Sequence, residues 1–130
     1  MEFLSFDLSK KFKELGFKEK TYAFYMPGGT FSHVYSQFRG AIVDDCTCNF
    51  NRYDNNVYGH DNLDAPTLNQ VLDWLLENKN VYVSAIAESP DTWFGEIHFL
   101  NEGKTITLVD SVNSRNEAYI AAITKYFELL

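Results

Sequence analysis

The stretch Val81-Tyr82-Val83-Ser84-Ala85-Ile86-Ala87-Glu88-Ser89-Pro90-Asp91-Thr92-Trp93-Phe94-Gly95-Glu96-Ile97-His98-Phe99-Leu100-Asn101-Glu102-Gly103-Lys104-Thr105-Ile106-Thr107-Leu108-Val109-Asp110 decides the fold. It reads as three strands, Val81–Ala87, Thr92–Leu100 and Lys104–Asp110. Glu88-Ser89-Pro90-Asp91 is a turn cluster between the first two. Asn101-Glu102-Gly103 is a three-residue hairpin loop, with glycine late, where a left-handed residue is wanted. The third strand alternates plainly, with Ile106 and Leu108 on one face and Thr105, Thr107 and Val109 on the other. Such alternation marks a sheet with one wet face, and therefore antiparallel pairing.

Downstream, the spacing predicts a helix over 115–129. Ser114 and Glu117 have the capping-box separation, and Tyr119, Ile123, Tyr126, Phe127 and Leu130 form an apolar stripe expected to lie on the sheet. Upstream, a helix is predicted over 67–77. Thr67 and Gln70 repeat the capping-box spacing, and Leu68, Val71, Leu72 and Leu75 follow at i, i+3, i+4 and i+7. Asn78-Lys79-Asn80 provides its exit.

Nearer the start, Leu8, Phe12 and Leu15 trace one face of a helix over 8–15, with Asp7 as expected N-cap and Gly16 as stop. Thr21–Met26 reads as an aromatic-rich strand halted by Pro27-Gly28-Gly29. Thr30 to Phe38 reads as its partner, and Ala41-Ile42-Val43 as the start of a third strand. Residues 44–64 hold ten Asp or Asn in 21 positions, side chains that favour turns. They read as a long excursion with a short strand at Cys46–Phe50. The expected class is α+β: an antiparallel sheet of about five or six strands with three helices, in the order α-β-β-(β)-α-β-β-β-α.

The whole length, 130 residues, suits a single globular domain over 1–130. With 11 Phe, 8 Tyr and 2 Trp, the chain has enough large apolar groups to offset chain entropy. Its net charge of −7 argues against nucleic acid and anionic lipid as partners. No apolar run approaches the roughly 20 residues of a membrane span. The opening Met1-Glu2-Phe3-Leu4-Ser5-Phe6-Asp7 lacks the basic leader and unbroken apolar stretch of a signal peptide. The expected compartment is the cytoplasm, where Cys46 and Cys48 stay reduced.

Two segments resemble a family of small uncharacterised proteins encoded by gut anaerobic bacteria, often in phage-like or mobile regions. One is Leu8-Ser9-Lys10-Lys11-Phe12-Lys13-Glu14-Leu15-Gly16-Phe17. The other, Ala65-Pro66-Thr67-Leu68-Asn69-Gln70-Val71-Leu72-Asp73-Trp74-Leu75, is similar to that family's Ala-Pro-Thr-Leu run before a Trp-Leu helix. The acidic, alanine-bearing closing helix fits as well. The chain departs from the family over about 27–62, which is longer here, and at Leu76, where a basic residue is expected. The resemblance implies no activity for any residue.

Several constellations are candidates for chemistry. Cys46 and Cys48, with His33 and His60, offer the ligand types of tetrahedral zinc, but one residue between the cysteines is shorter than structural zinc sites use. Ordinary thiols are expected, with no metal and no cofactor. Asp54-Asn55-Asn56-Val57-Tyr58-Gly59 has the flavour of a calcium loop but puts Ala65 where the bidentate Glu belongs. Glu96 and His98 lie two apart on one strand and share a face, with Tyr82 or Thr107 beside them. That face is either a solvated surface or a polar floor for a ligand or partner. Trp93 has the opposite parity, unless a bulge at Gly95 reverses it. Trp74 sits off the Leu68/Leu75 stripe and is either rim core or an exposed anchor for association. The candidate ligand- or partner-binding residues are therefore Trp74, Trp93, Glu96 and His98. No Gly-x-Ser-x-Gly elbow or other catalytic signature occurs. The leading expectation is a non-enzymatic interaction or accessory protein, of a phage or mobile element, with a protein partner or a second copy of itself. The alternative is a small-ligand binding module using the sheet face or the 44–64 excursion.

Overall fold

The computed structural model describes residues 2–34, 47–52 and 62–130. It is α+β, with three helices and two three-stranded antiparallel sheets. Two compact units divide it, Met1–Leu68 and Asn69–Leu130.

In the first unit, helix α1 (Phe6–Leu15) begins where the Ser5 hydroxyl accepts from the Leu8 amide at 3.3 Å. The cap is therefore Ser5, two residues earlier than Asp7. Asp7 instead lies in the first turn, where a carboxylate favours the positive end of the helix dipole. The helix ends as expected at Gly16, whose φ of 110° is left-handed. The Gly16 N–H bonds the Lys13 carbonyl and the Phe17 N–H bonds the Phe12 carbonyl, the paired bonds of a Schellman end. The apolar contact that accompanies such an end is also present. Phe12 and Phe17 are fully buried with ring centroids 6.3 Å apart.

Strand β1 (Ala23–Tyr25) lies between β2 (Phe31–His33) and β3 (Leu63–Asp64). Its register sets Ala23 against His33, Tyr25 against Phe31, and Phe24 against Asp64. The turn between β1 and β2 has Gly28 and Gly29 both at φ 93°, a conformation side chains disfavour. The expected second strand narrows to β2, flanked by Thr30 and Val34, while 35–38 and the strand expected at Ala41-Ile42-Val43 lie outside the described residues. The third place in the sheet falls to β3, a two-residue strand inside the Asp/Asn-rich excursion. Of the short strand expected at Cys46–Phe50, Cys46 lies outside the described residues, and the described part holds one bridge, Cys48 to Thr21, followed by a 3-10 helix at Phe50–Arg52.

Helix α2 (Leu68–Lys79) begins at the boundary of the two units, and Thr67 precedes it as expected. The Leu68 amide, free of an intrahelical partner at a helix start, bonds the Glu2 carbonyl at 2.8 Å. Val71, Trp74 and Leu75 are buried, and Asn80 leaves the helix in a left-handed conformation at φ 54°.

The second sheet has the order β4-β5-β6, with β4 at Val81–Ser89, β5 at Thr92–Phe99 and β6 at Lys104–Thr107. Strand β4 runs two residues further than expected, through a register irregularity between Ala87 and Ser89. Strand β6 stops three residues earlier. The Leu108 amide still reaches the Gly95 carbonyl at 2.9 Å, the chain then bends at Asp110, and Val112 rejoins opposite Trp93. Helix α3 (Arg115–Glu128) packs on β4 and β5. Its start is Ser114, as expected, with the hydroxyl accepting from the Glu117 amide at 3.1 Å. The Glu117 carboxylate bonds the Asn113 amide rather than that of Ser114. The buried face is Ala118, Ala122, Ile123 and Tyr126, while Leu130 is 69% exposed. The contact stripe is thus turned from the expected Tyr119–Leu130 line toward its alanines.

The six strands accordingly divide between two sheets, where the sequence suggested one.

Candidate functional site: the open face and outer edge of the second sheet

Register decides which side chains meet on the second sheet. Val83 opposes Ile97 and Ala85 opposes Gly95, and these residues face α3. The intervening residues point the other way. Tyr82 opposes His98, which opposes Thr105; Ser84 opposes Glu96, which opposes Thr107. Glu96 and His98 do share a face, with Tyr82 and Thr107 beside them.

Direct and diagonal bonds tie that face together. The His98 Nε2 lies 3.0 Å from the Ser84 hydroxyl on β4, and Nδ1 lies 3.1 Å from the Thr105 hydroxyl on β6. One imidazole therefore links all three strands. The Tyr82 ring lies 5.4 Å from it, centroid to centroid. Thr107 donates to the Glu96 carboxylate at 2.9 Å. A serine hydroxyl this close to an imidazole has the separation of a nucleophile and its base. The group on the other ring nitrogen, however, is a threonine hydroxyl, and the Glu96 carboxylate is bonded to Thr107 instead. Both side chains are held in place by bonds within the sheet.

Trp93 opposes Ala87 and has the parity of Gly95, so it lies on the side of the sheet away from Glu96 and His98. The ladder runs without a shift through Gly95. Trp74 is only 7% exposed, which makes it rim core with little surface for a partner.

The outer strands of this sheet, β4 and β6, each have one unpaired edge among the described residues. Among the described residues β6 pairs only with β5. Because the Leu108 amide bonds the Gly95 carbonyl, the even-numbered residues of this segment spend their backbone groups on β5. Thr105, Thr107 and Val109 direct theirs outward. Val109 is 93% exposed, the most exposed large apolar side chain among the described residues. Along this edge runs a groove of about 460 Å³ between β6 and α3, lined by Ile106, Leu108, Val109, Ala121, Thr124 and Lys125 among others.

In the first unit, a buried polar knot escaped the sequence reading. The Asp64 carboxylate is fully buried and accepts from the Phe50 amide at 2.9 Å and the Asn51 amide at 3.0 Å. Asn51 answers by accepting from the Asp64 amide and donating to the Phe17 carbonyl. Cys48 Sγ lies 3.4 Å from the same carboxylate and 3.2 Å from the Thr21 hydroxyl. Burial pushes the Cys48 thiol up to about 12, with the nearby Asp64 charge adding to the effect. This is a structural thiol, since reactivity needs the thiolate. Cys46 and His60 lie outside the described residues, as does the Asp54–Gly59 segment. His33 packs against Phe3 and Phe31, at centroid distances of 5.4 and 4.9 Å. Among the described residues no group of three or more His, Cys, Asp or Glu comes together to hold a metal ion. No described helix is long and apolar enough to cross a membrane.

The class is thus an α+β protein whose second unit lays one helix over a three-stranded sheet, with β4 and β6 each pairing on one side only among the described residues. Comparison with protein-family models, curated proteins and solved structures finds no match.

Proposed function

We propose that this chain works by protein–protein association rather than by chemistry of its own, and that it associates through the outer edge of β6. The observation that carries this reading is that edge, which among the described residues has no strand partner and runs beside a groove. Natural sheets blunt their edges with bulges, prolines or inward charges, because unpaired backbone groups template further pairing. On β4 only the end is interrupted, by the register irregularity between Ala87 and Ser89 with Pro90 beyond it, and Val81–Ala87 holds no charge and no proline; β6 differs in the groove that lies alongside it. The segment Thr105-Ile106-Thr107-Leu108-Val109, which starts in β6 and runs two residues past it between Lys104 and Asp110, holds no charge and no proline, and a groove of mixed lining lies alongside, with Ile106, Leu108 and Ala121 next to Asp110, Lys125 and Glu128. An edge with a groove supplies both halves of strand-addition binding: main-chain bonds for affinity and side-chain contacts for selectivity. The polar open face supports the same reading, since Glu96 and His98 stiffen the three strands that present the edge.

Photo-crosslinking tests it. A benzophenone side chain replacing Val109, in the full chain expressed in its native cells, is expected to capture protein on irradiation. The same group replacing Asp91, on the opposite hairpin loop, is expected to capture none. Equal or absent capture at both positions overturns the reading.

A further inference from the structure

Resting on that reading, we infer that the occupant of the β6 edge is a second copy of this chain, paired antiparallel about a two-fold axis through Thr107. The argument begins with register. Backbone groups point outward at Thr105, Thr107 and Val109, so any strand added there must place its own outward residues opposite these. A two-fold centred on Thr107 meets this condition, setting Thr107 against its copy and Thr105 against the other chain's Val109. The same operation sets Ile106 against Leu108, and Lys104 against Asp110.

Each of these pairs is favourable. Thr105 with Val109 joins two β-branched side chains, which suit neighbouring strands. Ile106 with Leu108 continues the apolar row on the α3 side, where the groove already presents both residues with Ala121 and Thr124. Lys104 with Asp110 is an opposite-charge pair, and symmetry places one at each end of the paired segment. Regular strand ends at Thr107, and the Lys104–Asp110 pairs fall where the chain turns at the two ends of the seam. Leu108 remains bonded to Gly95, and the bend comes only at Asp110. A pair of short strands is marginal alone in water. The groove supplies the remainder, because the seam brings the apolar rows and the α3 helices of two chains alongside each other. The pairing would also cover Val109, whose 93% exposure is otherwise unexplained. Two three-stranded sheets then become one continuous sheet of six strands.

Charge reversal with rescue tests both partner and register. By sedimentation equilibrium from micromolar to millimolar concentration, the wild type is expected to run at twice its 15.0 kDa. Lys104→Asp and Asp110→Lys, each alone, turn both symmetric pairs into like charges. Each is expected to weaken the dimer about tenfold, a few-fold per pair. The double variant Lys104→Asp/Asp110→Lys restores opposite charges and is expected to recover wild-type affinity. Thr107→Pro removes an outward N–H at the axis and is expected to give a folded monomer, since proline is tolerated on the free side of an edge strand. Circular dichroism confirms folding of each variant. A wild type that stays monomeric at millimolar concentration overturns the inference. So does a dimer on which the double variant is no better than the singles. A monomer that nonetheless crosslinks another protein through position 109 overturns this inference alone and leaves association through the edge standing.

Discussion

A methyl group added at Gly95 would sit 2.6 Å from the Ala118 carbonyl oxygen and 2.9 Å from the Ala122 Cβ. Both neighbours belong to α3 and neither can swing aside, so helix and sheet must part. Gly95→Ala is expected to cost about 2 kcal/mol, in the range of core overpacking, measured by urea unfolding. The buried knot gives two further tests. Burial raises the Asp64 carboxyl above its ordinary 3.8, while the Asn51 and Phe50 amides hold it back. The folded protein then binds that proton more tightly than the unfolded chain, so this group's contribution to stability falls as pH rises above about 3.8. The stability difference between wild type and Asp64→Asn is expected to be most favourable to wild type in acid and to shrink toward neutral pH. A difference that grows with pH contradicts this. In a Cys46→Ser variant, Cys48 is expected to react with iodoacetamide at least about a hundredfold more slowly folded than unfolded, because so little thiolate is present. None of the knot was legible in sequence. Asp64 lies 13 residues from Asn51 and 16 from Cys48, separations that no local pattern encodes.

Helices were the most legible elements, because their ends are local chemistry. Ser114 caps α3 through a bond to a residue three positions on, and Ser114→Ala is expected to cost about 1 kcal/mol in thermal unfolding. For α1, two capping residues compete within three positions. The structure selects Ser5, so Ser5→Ala is expected to cost about 1 kcal/mol and Asp7→Asn only a few tenths. Faces were legible where parity alone decides them. Glu96 and His98 share a side because they lie two apart on an uninterrupted ladder, and Trp93 opposes them for the same reason. The packing face of α3 was not legible. Weighing large side chains points to the Tyr119–Leu130 stripe, whereas close approach to Gly95 requires the small Ala118 and Ala122. Likewise β3, at two residues, is too short to carry any period.

Across the whole chain, the sequence alone determined which segments are helices, where most of them start and stop, that the strands after residue 80 form successive hairpins, and which side chains share a face of that sheet. Each of these follows from interactions spanning only a few residues, such as caps, turns and alternation. Tertiary structure alone decided that the described strands divide into two sheets, that Trp74 lies inside, that Asp64 gathers Asn51 and Cys48 around a buried carboxylate, and that among the described residues β6 pairs on one side only, beside a groove. These depend on partners distant in sequence, and the choice among such partners is made by the packing and hydrogen-bond satisfaction of the folded chain.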